Sequence, residues 1–174
     1  MNICFFVIFV CRQAMIKKNI AIVSLETNIS KKISKQIAEK FDMFFADTND
    51  ILSYKLQNKK FENNIDINLL EKKQKELLND INNYENTTIF CNFELLTQSN
   101  NLEIIKNNAI LVYLKVNKDE FQKDNLSFNL GYAFDFEDKF CEQNCDIKIE
   151  ITKDTKIDDI LNILTRFLSK GEFV

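Results

Sequence analysis

Residues 19–49 constrain the possible folds of this chain more than any other segment. Residues 19–25 form a short apolar run rich in β-branched side chains, which is typical of a strand buried on both faces. From Ser30 the apolar residues recur every four positions, as on one face of a helix, at Ile33, Ile37 and Phe41. A second apolar run follows at residues 43–46. A strand, a loop, a helix and a return strand form the unit in which α/β proteins bind phosphate groups.

The rest of the chain continues the alternation of apolar runs and helical periods. We predict a single-domain, three-layer α/β/α fold over residues 15–174, because alternating strands and helices with right-handed crossovers give a parallel sheet covered on both faces. The five predicted strands lie near residues 20–25, 43–47, 88–92, 109–115 and 146–151.

Two short motifs resemble those of a known family. Residues 38–41 (AEKF) and 47–49 (DTN) are similar to the A-E-K-L helix motif and the D-T-D strand end of shikimate kinases. These enzymes are P-loop phosphotransferases of the nucleoside-monophosphate-kinase type, and the resemblance covers roughly residues 20–168 in layout. It implies a P-loop fold with the first strand between the third and fourth, and a family activity that uses ATP and magnesium.

The phosphate-binding loop departs from the family pattern at every chemically important position. Side chains replace the loop glycines, Ser30 replaces the lysine, and Lys31 stands where the family has its magnesium-binding hydroxyl. The degenerate positions are Ser24, Thr27, Asn28, Ile29, Ser30, Lys31 and Lys32. One interpretation is a surviving anion site that uses Lys31 or Lys32. We favour the other, a plain strand-to-helix turn capped by Thr27, Asn28 or Ser30, because the compact loop requires glycines and Glu26 would repel a phosphate.

The substrate and magnesium positions implied by the resemblance are Asp47, Asn49 and Asn92. Asp47 matches the aspartate that helps to organise magnesium, whereas Asn49 replaces the aspartate that contacts the substrate hydroxyl, and Asn92 lies in place of a glycine run. As a structural alternative, Asp47 or Thr48 ends a strand and Thr48 or Asn49 caps the next helix. The family's lid and substrate arginines are absent between Arg12 and Arg166, and Gly131 is predicted to mark a turn in the lid region.

We therefore interpret the chain as a shikimate-kinase-like protein that is catalytically inactive or repurposed, a pseudo-kinase. No cofactor is expected, and its role would be non-enzymatic, such as binding an unknown protein partner. The alternative is a divergent ATP-dependent small-molecule kinase that uses Lys31 or Lys32 together with magnesium. The enzymatic question stays open on sequence grounds, with the balance against activity.

Composition narrows the remaining function classes. The net charge is −3 and the lysines are spread along the chain, so no nucleic-acid-binding surface is predicted. The chain has no histidine, the commonest metal ligand, and its five cysteines form no CxxC pair. We expect reduced thiols, no metal site and a cytoplasmic protein.

The N-terminal apolar run at residues 3–11 (ICFFVIFVC) is too short to span a bilayer. It has no basic region before it and no cleavage site after it, so a signal peptide is not predicted. We interpret residues 1–14 as an extension that need not belong to the native protein and that packs little against the domain. A membrane-associated module built on residues 3–11 is the alternative.

Overall fold

The computed structural model describes residues 19–56, 67–98, 100–117, 130–152 and 154–169, so the interpretation of residues 1–14 falls outside it. All strand pairs of its five-stranded sheet are parallel, in the order β2-β3-β1-β4-β5. The strands are β1 (Asn19–Val23), β2 (Phe44–Asp47), β3 (Thr87–Cys91), β4 (Ala109–Val116) and β5 (Ile147–Ile151). The predicted parallel sheet, with the first strand between the third and fourth, is confirmed.

Helices cover both faces of the sheet and complete the three-layer α/β/α architecture. In the described part of the chain they are α1 (Thr27–Phe41), α2 (Thr48–Lys55), α3 (Ile67–Ile81), α4 (Phe93–Thr97), α5 (Asn101–Asn108), α6 (Leu130–Asn144) and α7 (Ile157–Ser169). Helices α1 and α7 pack on one face, and α2, α3 and α5 pack on the other.

The central position of β1 in the sheet explains why its sequence is apolar without interruption. Successive side chains of a strand point to opposite faces, so Ile20 and Ile22 join the core under α1, whereas Ala21 and Val23 join the core on the other side. Every residue of β1 is buried. Strand β5 lies at one edge of the sheet and alternates between buried and exposed residues, as expected for a strand with one solvated face.

Two boundaries and one turn differ from the sequence prediction. Strand β1 ends at Val23 rather than near residue 25, and α1 begins at Thr27 rather than Ser30. Gly131 does not mark a turn, because it is the second residue of α6. The first backbone N–H groups of a helix have no intrahelical partner, so glycine is tolerated there more readily than in the middle. The preceding lid positions, residues 118–129, lie outside the described residues.

Candidate functional site

The carboxyl ends of the parallel strands meet at one edge of the sheet, where open α/β proteins bind their ligands. The residues predicted from the sequence follow β1, β2 and β3 at this edge, so the fold brings them together. Among the predicted residues, Lys31 pairs with Asp47, and Asn92 donates a hydrogen bond to Asn49.

Ser24, the first of the loop positions predicted from the sequence, connects the end of β1 to a neighbouring strand. Its buried hydroxyl donates a hydrogen bond of 2.7 Å to the carbonyl oxygen of Leu114 in β4. The hydroxyl oxygen of Ser24 in turn accepts a hydrogen bond of 3.2 Å from the backbone N–H of Glu26. Ser24 therefore shapes the turn between β1 and α1 through its side chain.

The N-terminal end of α1 is capped by Glu26. Its carboxylate accepts a hydrogen bond of 3.2 Å from the backbone N–H of Asn28. The prediction of Thr27, Asn28 or Ser30 as the cap is wrong, because all three lie inside the helix. A carboxylate is favoured at this end because the first N–H groups carry partial positive charge. The chain thus places its own anion where a phosphate would approach.

Ser30, which the sequence resemblance aligned with the family's lysine, is completely buried. Its hydroxyl has no hydrogen-bond partner among the residues that the structure describes. Ser30 lies on the same helix face as Ile33 and Ile37, which pack against the sheet. The position is therefore part of the packed interface between α1 and the sheet.

Lys31 forms an ion-pair cluster across the cleft. Its ammonium nitrogen lies 2.5 Å from Oδ2 of Asp47 and 3.0 Å from Oδ2 of Asp50. The hydrogen bonds to Asp47 and then to Asp50 raise the pKa of Lys31, so its charge is retained at neutral pH. Lys32 is exposed to solvent. Of the two candidate lysines, only Lys31 faces the strand ends.

Asp47 ends β2 and also caps α2. Its Oδ1 accepts hydrogen bonds from the backbone N–H groups of Asn49, at 2.8 Å, and Asp50, at 3.4 Å. The prediction that Asp47 ends the strand is confirmed, whereas the expected cap, Thr48 or Asn49, is wrong. With Oδ1 on the helix and Oδ2 on Lys31, the buried carboxylate is compensated on both sides.

Asn92 links the ends of β2 and β3. Its side-chain amide donates a hydrogen bond of 3.2 Å to Oδ1 of Asn49, and its backbone N–H donates one of 3.2 Å to the hydroxyl of Thr48. Its side-chain oxygen accepts a hydrogen bond of 3.0 Å from the backbone N–H of Glu94, so Asn92 is the N-cap of α4. Asn49 and Asn92 therefore hold the edge together.

The edge carries more carboxylates than sequence reasoning identified. Burial and the nearby charge of Glu94 raise the pKa of Glu137 in α6. Glu26, Asp47 and Asp50 add further negative charge around Lys31. Glu137 was missed because only the fold brings α6 near Glu94, and no local pattern marks it. Among the described residues, these carboxylates make the edge less favourable for an anionic ligand.

The described cysteines provide no reactive centre. Cys91 and Cys141 are buried, and burial raises the pKa of each thiol to about 12. Cys145 is partly buried, and burial also raises its pKa. Within the described ranges, no group of three or more acidic, cysteine or histidine side chains is placed to hold a metal ion.

We expect Cys91 and Cys141 to resist alkylation by iodoacetamide in the native protein at pH 8. With a pKa of about 12, the thiolate is only about one ten-thousandth of each thiol at that pH, and only the thiolate reacts. Peptide mapping by mass spectrometry measures the labelled fraction at each site, with the urea-unfolded protein as the control. Rapid native labelling of Cys91 would contradict the buried environment of β3.

Among the residues that the structure covers, no helix is both long and apolar enough to cross a membrane. Residues 3–11, on which the membrane alternative depended, lie outside the described part of the chain.

Comparison with solved structures relates this architecture to shikimate kinases. The enzyme from Acinetobacter baumannii, solved in complex with shikimate, superposes with a TM-score of 0.70 at 18% identity, covering 92% of this chain and 99% of that one. The Bacteroides thetaiotaomicron enzyme gives 0.71 at 14% identity over 88% and 99% of the two chains. The Aquifex aeolicus enzyme gives 0.71 at 13% over 88% and 97%.

Comparison by sequence is less informative. No protein-family model matches the chain, and no curated protein matches it. At the low identities of the structural matches, the superpositions establish the fold alone. The chain has a shikimate-kinase-like P-loop fold, an α/β fold with a five-stranded parallel sheet.

Proposed function

We propose that this protein is a catalytically inactive member of the shikimate-kinase-like fold and that it functions by binding a protein partner. The observation that carries the proposal is the ion pair between Lys31 and Asp47. The lysine available to neutralise a phosphate and the carboxylate available to organise magnesium contact each other. Each of these two charges therefore already has a partner within the protein.

The end of α1 also lacks the properties of a phosphate cradle. The carboxylate of Glu26 caps it, so a nucleotide phosphate would meet a like charge at close range. Phosphoryl transfer depends almost entirely on positioning and charge neutralisation. Losing one preorganised donor typically lowers a rate by about a hundredfold to a thousandfold. The changes at Ser24, Glu26 and Ser30 affect several such contributions together.

The magnesium position does not fit a bound ion. Magnesium requires near-ideal octahedral oxygen coordination and usually retains several waters. Asp47 is buried, with one oxygen on two backbone N–H groups and the other on Lys31. Binding a magnesium ion would first require breaking that ion pair. Asn49 cannot supply a second carboxylate.

The acceptor side is equally unsuited to shikimate, the ligand of the A. baumannii structure, because shikimate carries a carboxylate. Recognition of a carboxylate favours an arginine fork. In the described residues near this edge, Glu94 lies in the first turn of α4, and burial together with the charge of Glu94 raises the pKa of Glu137. Negative charge there would repel the substrate.

We expect 5 mM ATP with magnesium to leave the melting temperature of the full chain unchanged within about 1 °C, by differential scanning fluorimetry. A ligand at a hundred times its dissociation constant adds about 2.7 kcal/mol, which for a chain of this size raises the melting temperature by several degrees. An active shikimate kinase provides the positive control. A coupled ADP-release assay with shikimate should show no activity above background.

A clear thermal shift would contradict the proposal. If Lys31→Ala or Lys32→Ala abolished that shift while Lys40→Ala did not, the divergent kinase would be the better account. Lys40 is the matched control because it is an exposed lysine at the opposite end of α1. A shift that neither substitution changed would place the nucleotide elsewhere on the protein.

A further inference from the structure

We propose that the outer edge of β2 binds an extended, basic segment of a partner protein as an additional strand. Strand β2 is the last strand on its side of the sheet. An open groove with a volume of about 530 Å³ runs beside it, lined by residues of β2, the start of α2 and the turn before β3. The groove adjoins the candidate site, because Asp47 and Asp50, which pair with Lys31 of α1, also line it.

The backbone of β2 offers hydrogen-bonding groups to such a segment. The N–H of Phe44 donates a hydrogen bond of 2.8 Å to the carbonyl oxygen of Asn86, on the side of β3. Because successive N–H groups of a strand point to opposite sides, the N–H of Phe45 faces away from β3. In the described part of the chain, no strand pairs with β2 on that side. Strand addition uses these main-chain groups for affinity.

The side chains of β2 do not protect this edge. Exposed edge strands are usually guarded by charged residues or proline against pairing with other chains. Strand β5, at the opposite edge, has the exposed charges of Lys148 and Glu150. Strand β2 instead presents Phe44, which is 74% exposed and lines the groove. The contrast points to β2 as the edge that is used for binding.

The charges of the groove indicate the chemistry of the partner. Glu85 lies at the end where β2 begins. Just past the other end, Asp50, whose side chain is 70% exposed, shares the ammonium of Lys31 with Asp47, so these three groups together carry one net negative charge. No lysine or arginine is among the described residues that line the groove. The four residues of β2 span about 13 Å, because a strand rises about 3.3 Å per residue. Two basic residues about four positions apart on one face of the bound segment would therefore reach the negative charges at the two ends of β2. An apolar residue between them would contact Phe44.

A second copy of this chain fits the groove less well. Antiparallel pairing of two β2 strands about a twofold axis would bring Asp50 of one copy near Glu85 of the other. Like charges directly opposite across a strand pair are destabilising. Charge complementarity therefore favours a basic partner. This inference rests on the partner-binding role proposed above and assigns that role to a surface.

The test selects peptides from a random ten-residue phage-displayed library against the full chain in the absence of nucleotide. We expect enrichment of sequences with two lysine or arginine residues about four positions apart and an apolar residue between them. A synthetic version of the most enriched peptide is labelled, and its dissociation constant is measured by fluorescence anisotropy. Hydrogen exchange of the Phe45 amide should slow when this peptide is bound.

Variants then locate the binding surface. We expect Phe44→Ala and Glu85→Lys each to weaken the peptide at least tenfold, since Phe44 supplies apolar contact and Glu85 supplies charge. Glu150→Lys is the matched control, because it reverses an exposed carboxylate on the opposite edge strand, and it should change the affinity less than twofold. Circular dichroism checks that the exposed substitutions leave the fold intact.

Three results would overturn the inference. One is the absence of any enriched peptide, and another is a peptide whose affinity is unchanged by Phe44→Ala and Glu85→Lys. The third is a dimer in solution that Phe44→Ala dissociates, which would assign the edge to a second copy. Failure of peptide binding is distinct from failure of the nucleotide proposal, which the ATP titration decides independently.

Discussion

The Asp47→Ala variant should be less stable than the wild-type protein by about 2–4 kcal/mol, because one substitution removes a helix cap and one partner of an ion pair. Asp47 is only 4% exposed, and its carboxylate binds two backbone N–H groups of α2 and the ammonium of Lys31. Without it, those N–H groups lose their acceptor. For a chain of this size, the melting temperature should fall by about 5–12 °C.

The matched control is Asp50→Ala, which removes the other carboxylate of Lys31. The side chain of Asp50 is 70% exposed, and exposed ion pairs contribute roughly 0–1 kcal/mol. Urea denaturation of both variants measures the difference in unfolding free energy. If Asp47→Ala were as stable as Asp50→Ala, the carboxylate of Asp47 would not be structural. Its availability for a metal or a substrate would then have to be reconsidered.

The positions and parallel direction of the strands were predictable from local patterns, whereas their order was implied by the resemblance to shikimate kinases. Apolar runs such as that of β1 have no polar face, so burial between two helix layers is their stable solution. The apolar residues of α1 recur about every four positions, unlike the continuous apolar run of the strand before it. Right-handed crossovers restrict the topology further. The spacing of apolar residues is set by the backbone period and by burial. It can therefore be read from residues that are neighbours in the sequence.

The contacts of the candidate site were not predictable in the same way. Caps were expected at Thr48 or Asn49 and near Thr27, yet the structure uses Asp47 and Glu26. Several side chains at each helix start were chemically suitable, and a shift of one residue in the strand end decides which of them reaches the N–H groups.

Contacts between distant segments leave no local trace. Lys31 and Asp47 lie sixteen positions apart, and Asn49 and Asn92 lie 43 apart. The resemblance to shikimate kinases predicted positions at which the residue types differ from those of the family. It did not show that the replacement residues satisfy one another, which requires the positions of their side chains.

Replacing Ser30 with lysine, the residue type that the family has at this position, should strongly destabilise the protein. Ser30 is fully buried against the sheet, and a lysine there would place an ammonium in a packed interface or force α1 outward. An uncompensated buried charge costs several kcal/mol, about 3–5 when its partner is missing. We expect Ser30→Lys to lower the melting temperature by more than about 6 °C, or to prevent folding.

Replacing Ser30 with alanine tests the burial of this position with a variant that is expected to fold. Ser30→Ala removes a buried hydroxyl that has no partner in the described residues, so we expect stability to be unchanged or to rise by up to about 1 kcal/mol. Asn28→Lys is the control for adding a lysine near the start of α1, because Asn28 is exposed, and it should change stability by less than about 1 kcal/mol. Urea denaturation compares all three variants.

A stable Ser30→Lys protein would contradict the conclusion that position 30 is packed against the sheet. The new ammonium would need a polar cavity at the end of α1, which is the space that a P-loop lysine occupies beside a phosphate. The same variant should then acquire a thermal shift with ATP and magnesium that the wild-type protein lacks. If Ser30→Lys is instead unstable while Ser30→Ala is not, the core has closed over the lysine position. Activity could then not be regained by restoring that lysine alone, because the space it needs is filled by the packing of α1 on the sheet.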